Sequence, residues 1–340
     1  MTAFIARRLV LLPIVVIGTT LLIFALTQLL SPAMRASLFV QDPNQMRDLE
    51  AIIRKYGLDR PFYVQYWEWL KNVVRGDLGY SFVARQTVAE AIRSFFPTTL
   101  ELSLFSFGLL LMVGIWLGTL SAVHKDRWID HLSRTVSIVG TGLPTFVWGL
   151  VLLLLFYGMH PWFPPGRLSL EAYLYVTSDR FRSYTGLLTL DALLNGQLWI
   201  FWDALRHLVL PVLTLSYFTA AVLVRVMRSA MLETLRQDYV RTARAKGLPE
   251  PVVIRRHARR NALIPVITLA SLILAGLLTG AVITETIYDL PGIGRWGAQA
   301  AQQLDIPGVA GFALFSAVLV VLGNLAADIL YAFVDPRIRY

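Results

Sequence analysis

Of the 340 residues, 56% are hydrophobic and only 16% charged, well below the roughly 25% charge of an ordinary soluble domain, so the composition is that of a membrane protein. The 31 Lys and Arg against 22 Asp and Glu leave a net charge of +9, whose meaning depends on where along the chain it lies. Disulfides, thiolate chemistry, iron–sulfur clusters and zinc ribbons are excluded by the absence of cysteine, and His124, His131, His160, His207 and His257 include no H-x-x-x-H pair that would set two imidazoles on one helical face.

A bilayer core about 30 Å thick needs roughly 20 apolar residues in a helix. Uncharged stretches near that length run Leu9 to Met34, Leu102 to Val123, Thr135 to Met159, Leu208 to Val224, Asn261 to Thr284 and Ile306 to Ala327, the last continuing past Asp328. The Arg7-Arg8 pair before the first stretch also opens secretory signals. The run is longer than a signal core of about 7–15 residues and has no small-residue cleavage site, so it reads as a retained span. Leu187 to Trp202 is apolar but broken by Asp191, Asn195, Gly196 and Gln197, and reads as an interfacial or re-entrant piece. These elements predict an all-α membrane protein of six transmembrane helices. Residues 1–34 form a tip and first span, 35–97 a small helical extracytoplasmic cap, and 98–340 a five-helix core.

Charge decides the orientation. The segments before Leu9, 124–134, 225–262 and after Val334 hold 17 of the Lys and Arg in 63 residues, against 14 in the remaining connections of more than twice that length. The first set is therefore cytoplasmic, together with both termini. The basic balance is thus explained by membrane topology, and nucleic acid is not an expected partner.

Within the first outer loop, a helical pattern from Pro43 to Lys55 is closed by Gly57 and another from Pro61 to Val74 by Gly76. In the second, Phe62, Tyr66, Trp69 and Leu70 recur on one face. The cytoplasmic connection Met227 to Asn261 is strongly basic. Asp238 is placed to cap a helix from Tyr239 to Lys246, which Gly247 and Pro249 end. At about 12 Å this helix is too short to stand alone and has to be held by packing. Ala243 and Gly247, with Tyr239 on the same side, suggest a surface for close approach by another protein. Beyond it, Arg255 with Arg259, and Arg256 with Arg260, form i,i+4 pairs at headgroup level.

The stretch Tyr239-Val-Arg-Thr-Ala-Arg-Ala-Lys-Gly247, followed by Arg260-Asn-Ala-Leu-Ile-Pro265, resembles the signature loop of permease subunits of ATP-binding-cassette importers, in the form used by the dipeptide and oligopeptide group. Arg7-Arg8-Leu9, Tyr56-Gly-Leu-Asp-Arg-Pro61, Arg75-Gly-Asp-Leu-Gly79, Thr98-Thr-Leu-Glu-Leu102, Glu285-Thr-Ile-Tyr-Asp-Leu-Pro-Gly-Ile-Gly294 and Asp335-Pro-Arg-Ile-Arg339 are similar to the same group. Leu30-Ser-Pro-Ala-Met34 and His257-Ala-Arg-Arg260 depart from its usual Pro-Gly-Asp-Pro-like and His-x-Leu-Arg runs. The resemblance implies a cytoplasmic coupling helix at 238–248, seated in a cleft of a separate ATPase subunit through Tyr239, Arg241, Thr242, Ala243, Lys246, Gly247 and Leu248. Arg241-Thr242-Ala243 stand where the broader importer signature has Glu-Ala-Ala. The implied partners are a second homologous permease, two ATPase subunits holding ATP and Mg, an extracytoplasmic substrate-binding protein and membrane lipid. The implied substrates are di- and oligopeptides, with nickel chelates, glutathione and oligosaccharides carried by other members.

No G-x-x-x-x-G-K-[ST] phosphate loop occurs, so ATP hydrolysis is expected in partners, with no cofactor in this chain. Polar residues within spans are the pointers to a substrate path: Gln28, Thr141, Thr214, Ser216 and Asn324. Glu101 lies near the outer edge, and Asp328 is expected to pair with an arginine. Pro144 with Gly140, Gly142 and Gly149, and Gly276 with Gly280, allow close packing or kinking of spans three and five. Tyr288 to Gly297 reads as a gate, a receptor-docking edge or an interfacial turn. Two other classes compete. An ion-coupled secondary transporter would need intramembrane charges and an inverted repeat. An intramembrane enzyme would need a nucleophile with a base, or paired metal ligands, within the spans.

Overall fold

The computed structural model describes residues 13–22, 24–25, 28–37 and 49–334, which are mostly helical. Arg7-Arg8, residues 43–48 of the expected cap helix, the side chain of Asp328 and Asp335 to Arg339 lie outside the described residues. Of the first expected span, Pro13–Leu22 is described as helix (α1). Among the described residues four helices are long and apolar enough to cross a membrane, and five if one bent pair counts as a single span.

The chain divides into two compact units, Met1–Phe96 with Ile293–Val321, and Pro97–Gly292 with Leu322–Tyr340. In the first, α2 (Pro32–Ser37), α3 (Leu49–Tyr56) and α4 (Phe62–Val74) are followed by a short hairpin of β1 (Tyr80–Ser81) and β2 (Gln86–Thr87), paired Tyr80 to Thr87 and Ser81 to Gln86. The apolar stripe of α4 behaves as its spacing predicts: Phe62, Tyr66 and Trp69 cluster around Phe24, with centroids 5.7–6.2 Å from its ring. Thr87 opens α5 (Val88–Val123) through a capping box. Its hydroxyl accepts from the Glu90 amide, and its own amide donates to the Glu90 carboxylate. Val88 and Ala91 at the start of α5 pack on Ile293 and Trp296 of α15 (Ile293–Gln302), with Phe95 stacked on Trp296. Trp296 is 2% exposed and donates to the Ser81 hydroxyl, so it is a core residue rather than an interfacial edge.

The second unit is built around α10 (Leu198–Thr234). At 37 residues it is about 55 Å long, far more than the bilayer core requires. It begins ten residues before the expected Leu208 and takes Trp199 and Trp202 out of the predicted interfacial piece, leaving only α9 (Leu188–Leu194) there. Likewise α5 starts at Val88 rather than Leu102. Both extensions carry polar residues that a hydropathy reading ends on but helical backbone tolerates. Against α10 pack α5, α6 (Trp128–Gly142), α7 (Thr145–Leu153) and α13 (Arg259–Leu278). Gly114 and Gly118 of α5 permit the approach, because a Cβ on Gly118 would stand 2.8 Å from the Val224 carbonyl oxygen. Gly140 and Gly149 similarly abut Tyr217 and Thr214.

The expected third span, Thr135 to Met159, is not one helix. α6 and α7 meet at a 102° bend. Pro144 forces Leu143 into an extended conformation, φ −97° and ψ 130°, so the helix stops at Gly142, two residues before the proline. A π turn, Leu154–Met159, finishes the second arm. The fifth span also ends early, at Leu278 rather than Thr284. Gly280, at φ +111°, turns the chain into α14 (Val282–Ile287), whereas Gly276 stays inside α13. α8 (Leu170–Val176), α11 (Asp238–Ala245), α12 (Glu250–Val252) and α16 (Ile306–Val334) complete the chain.

Candidate functional site

Between α10 and α13, α11 stands with six of its eight residues exposed. Its eight residues are fixed at one seam, where Val240 and Ala243, 0% and 5% exposed, close on Val253 and Leu235. Asp238 does not cap it. The helix already includes Asp238, Gln237 is the N-cap and makes no side-chain cap bond, and Asp238 instead faces Arg241 at 3.4 Å. Favourable interaction of an acid in the first turn with the helix dipole remains.

The opposite end is held by Arg244, whose Nε and Nη2 donate to the Glu250 carboxylate at 3.0 and 2.6 Å, and this bond raises the Arg244 pKa above its usual value. Gly247 has φ +75°, which allows its amide to reach the Arg244 carbonyl at 2.9 Å and the chain to reverse. The Tyr239 hydroxyl accepts from Asn261 Nδ2 at 2.7 Å, tying the helix to the start of α13.

Six of the seven residues predicted for docking thus lie on the exposed side: Tyr239, Arg241, Thr242, Lys246, Gly247 and Leu248. Ala243 faces the chain's own Val253 and supports the helix from beneath. The small-residue surface expected from Ala243 is therefore internal. The predicted i,i+4 arginine strip is also altered, because Val253–Ala258 forms a π turn that changes the angular step between Arg255 and Arg259. Arg255, Arg256 and Arg260 remain exposed.

Thr214 and Ser216 are buried and engaged within the protein. The Tyr288 hydroxyl donates to the Gly149 carbonyl at 3.0 Å, so Thr214 donates to Tyr288 at 2.8 Å, and Ser216 reaches the Val212 carbonyl at 2.6 Å. Thr141 is half-buried and bonds back to Ser137, and Asn324 is half-buried on α16. Gln28 lies beyond α1 with its Nε2 buried and without a partner among the described residues.

Four carboxylates are buried in the second unit, Glu101, Asp130, Asp191 and Glu285, and sequence reasoning singled out only Glu101 as a polar residue at the edge of a span. Glu101 accepts from the Thr189 amide and hydroxyl, both at 2.6 Å, and from Arg167 at 3.3 Å. Glu285 accepts from Thr99 at 2.7 Å, and Gly292 sits so close that a Cβ there would fall 2.2 Å from the carboxyl carbon. Thr99, Glu101, Glu285 and Gly292 all belong to motifs that the resemblance rested on. Asp130 is 0% exposed and receives Arg228 through two bonds of 2.7 Å, Ser121 at 2.6 Å and the Asp126 amide at 3.0 Å. Among the described residues no three His, Asp or Glu side chains stand together as a metal ion would need.

A family model described as binding-protein-dependent transport system inner membrane component matches residues 114–340, and one for the N-terminal part of such components matches residues 1–103. The chain is 44% identical over 327 residues to the probable D,D-dipeptide transport system permease protein DdpB of Escherichia coli, covering 96% of this chain and 94% of the relative. It is 43% identical to the di/tripeptide transport system permease protein DppB of Pseudomonas aeruginosa, over 100% of this chain and 99% of the relative. It is 40% identical to the oligopeptide transport system permease protein AppB of Bacillus subtilis, over the full length of both.

Proposed function

The chain belongs to the binding-protein-dependent transport system inner membrane components, and from that membership we propose that it is a permease subunit of an ATP-driven importer of short peptides. The observation that carries the substrate class is similarity along the whole chain to permeases named for di- and oligopeptides. The protein is a multi-pass inner-membrane component and is not itself the catalytic subunit. In this reading ATP and Mg are handled by two ATPase subunits, a second homologous permease completes the pore, and an extracytoplasmic binding protein delivers the peptide. Six crossings are proposed, with α6 and α7 together as one, both termini and α11 in the cytoplasm, and residues 35–97 as an outer cap.

The exposed face of α11 is the proposed seat for an ATPase subunit. A short helix clamped at one end by Arg244 and Glu250, and at its base by Val240 and Ala243, moves as a unit when pushed. Two nucleotide states of the ATPase then bias two arrangements of the pore, each favoured by its own contacts. Thr141 and Asn324, half-buried within spans, are the proposed path positions, whereas Thr214 and Ser216 are taken up by bonds within the protein.

Gentle purification of the tagged chain, with mass spectrometry of what accompanies it, tests the assignment. A second permease and two ATPase chains are expected, with ATPase recovery reduced for Gly247→Val, since a β-branched residue does not adopt φ +75°. Recovery of the chain alone, active in ion-driven uptake, would overturn the reading.

A further inference from the structure

A cavity of about 390 Å³ lies within the first unit, walled by residues of α2, α4, the turn before β1 and the start of α16. Its volume is within the roughly 300–1,000 Å³ typical of small-ligand sites. Arg35 lines it and is 5% exposed. The Arg35 Nη1 donates to Gln65 Oε1 at 2.8 Å and Nη2 to the Leu58 carbonyl at 2.9 Å, while Nε is buried and donates to nothing among the described residues.

Nor does any described carboxylate reach Arg35. Glu68, on the same wall, is taken by Arg60 at 2.6 Å. A guanidinium removed from water without a counter-ion is costly, and burial pulls the Arg35 pKa below the usual arginine value. Trp69, Tyr80 and Pro307 also line the cavity. The exposed Asp77 also lines the cavity. One of its oxygens accepts from the Gly79 amide at 2.9 Å, and it makes no ion pair among the described residues. The site thus offers a buried cation, an apolar middle and an acid open to solvent.

We propose that this cavity binds a short peptide, with the terminal carboxylate on Arg35, side chains against Trp69 and Tyr80, and the α-ammonium at Asp77. The choice of a peptide among carboxylate ligands rests on the importer reading. The carboxylate supplies the anion that Arg35 lacks, a charge-assisted pairing in which arginine excels. It would place a substrate contact in the cap, ahead of any position within the spans.

The test is calorimetric titration of the full chain, purified with its partner subunits in lipid nanodiscs without the binding protein, using Ala-Phe, its C-terminal amide and its N-acetyl derivative. Ala-Phe is expected to saturate one site, with the amide at least tenfold weaker. Arg35→Gln should remove the preference for acid over amide. Asp77→Asn, on an exposed turn and able to keep the Gly79 bond through its amide oxygen, should weaken Ala-Phe while leaving the N-acetyl derivative unchanged. Equal affinity for acid and amide in the wild type, no saturable binding, or unchanged preferences in both variants would overturn the site. Uptake of Ala-Phe delivered by the binding protein, measured in parallel, separates the two readings: uptake without cap binding rejects the cavity alone, whereas absence of uptake rejects the peptide assignment.

Discussion

Asp130 and Arg228 stand 98 positions apart in the chain, and their pair joins the start of α6 to α10 with every carboxylate oxygen engaged. A buried ion pair is weak evidence for net stability, but removing one partner strands the other. Arg228→Met should therefore destabilise the protein by about 3–5 kcal/mol, measured as loss of monodisperse protein on heating in detergent. The double variant Asp130→Leu, Arg228→Met should recover most of it, a non-additivity expected of residues in direct contact. A single variant as stable as the wild type would show that the pair carries nothing. This pair was hard to read in the sequence, because Arg228 falls among many basic residues whose common explanation is the cytoplasmic charge bias, and no local pattern links it to Asp130. Gly114 and Gly118 show the same difficulty: their four-residue spacing is visible, but only the packed helices reveal that a Cβ would meet the Leu223 side chain at the first and the Val224 backbone at the second. By contrast, Gly247 was legible, since a glycine just after a short helical pattern signals a positive φ, and φ is +75°.

Elements were legible where hydrophobic period and stop signals agreed. The stripe of α4 is read directly from its spacing, and α11 ends at Ala245, one residue before the expected Lys246. Elements were misread where a stop signal lay inside an apolar run, as at Pro144, or where helix continued through polar residues, as at the start of α5 and at both ends of α10. The segment before α9 illustrates what hydropathy misses. Asp191 is 1% exposed and its carboxylate gathers Ser183, Thr185 and Gly186 into one turn. Burial by itself would raise its pKa, but the bonds from the Thr185 hydroxyl and amide, Ser183 and Gly186 together hold it below the ordinary value. The ionised form is the one that stabilises the turn. That contribution is complete above the unfolded value of about 3.9 and declines as pH falls through the lower folded value. Hydrogen exchange of residues 183–191, corrected for intrinsic rates, should show protection that fades on acidification. In Asp191→Asn the protection should be lower and independent of pH; a wild-type profile in that variant would remove the carboxylate from the account.

At the scale of the whole molecule, the bend between α6 and α7 bears on everything that follows it. If the 102° pair crosses the membrane, three crossings separate the cap from α11 and the two lie on opposite sides. If the pair dips in and returns, only two separate them and both lie on one side. The charge distribution favours three, because 10 of the 31 Lys and Arg sit in residues 225–262, where the positive-inside rule puts them in the cytoplasm. The bend itself was signalled by Pro144, but its consequence was not, since a hydropathy window reads a broken run and a straight one alike. The native absence of cysteine makes the distinction measurable. Asp59→Cys in the cap and Lys246→Cys at the end of α11 are both exposed positions. With a membrane-impermeant maleimide, Asp59→Cys should react in intact spheroplasts and Lys246→Cys only after lysis. Labelling of both before lysis, or of neither, would make α6 and α7 a re-entrant pair. Labelling of Lys246→Cys alone would keep three crossings and invert the molecule, removing both the ATPase seat on α11 and the outer cap.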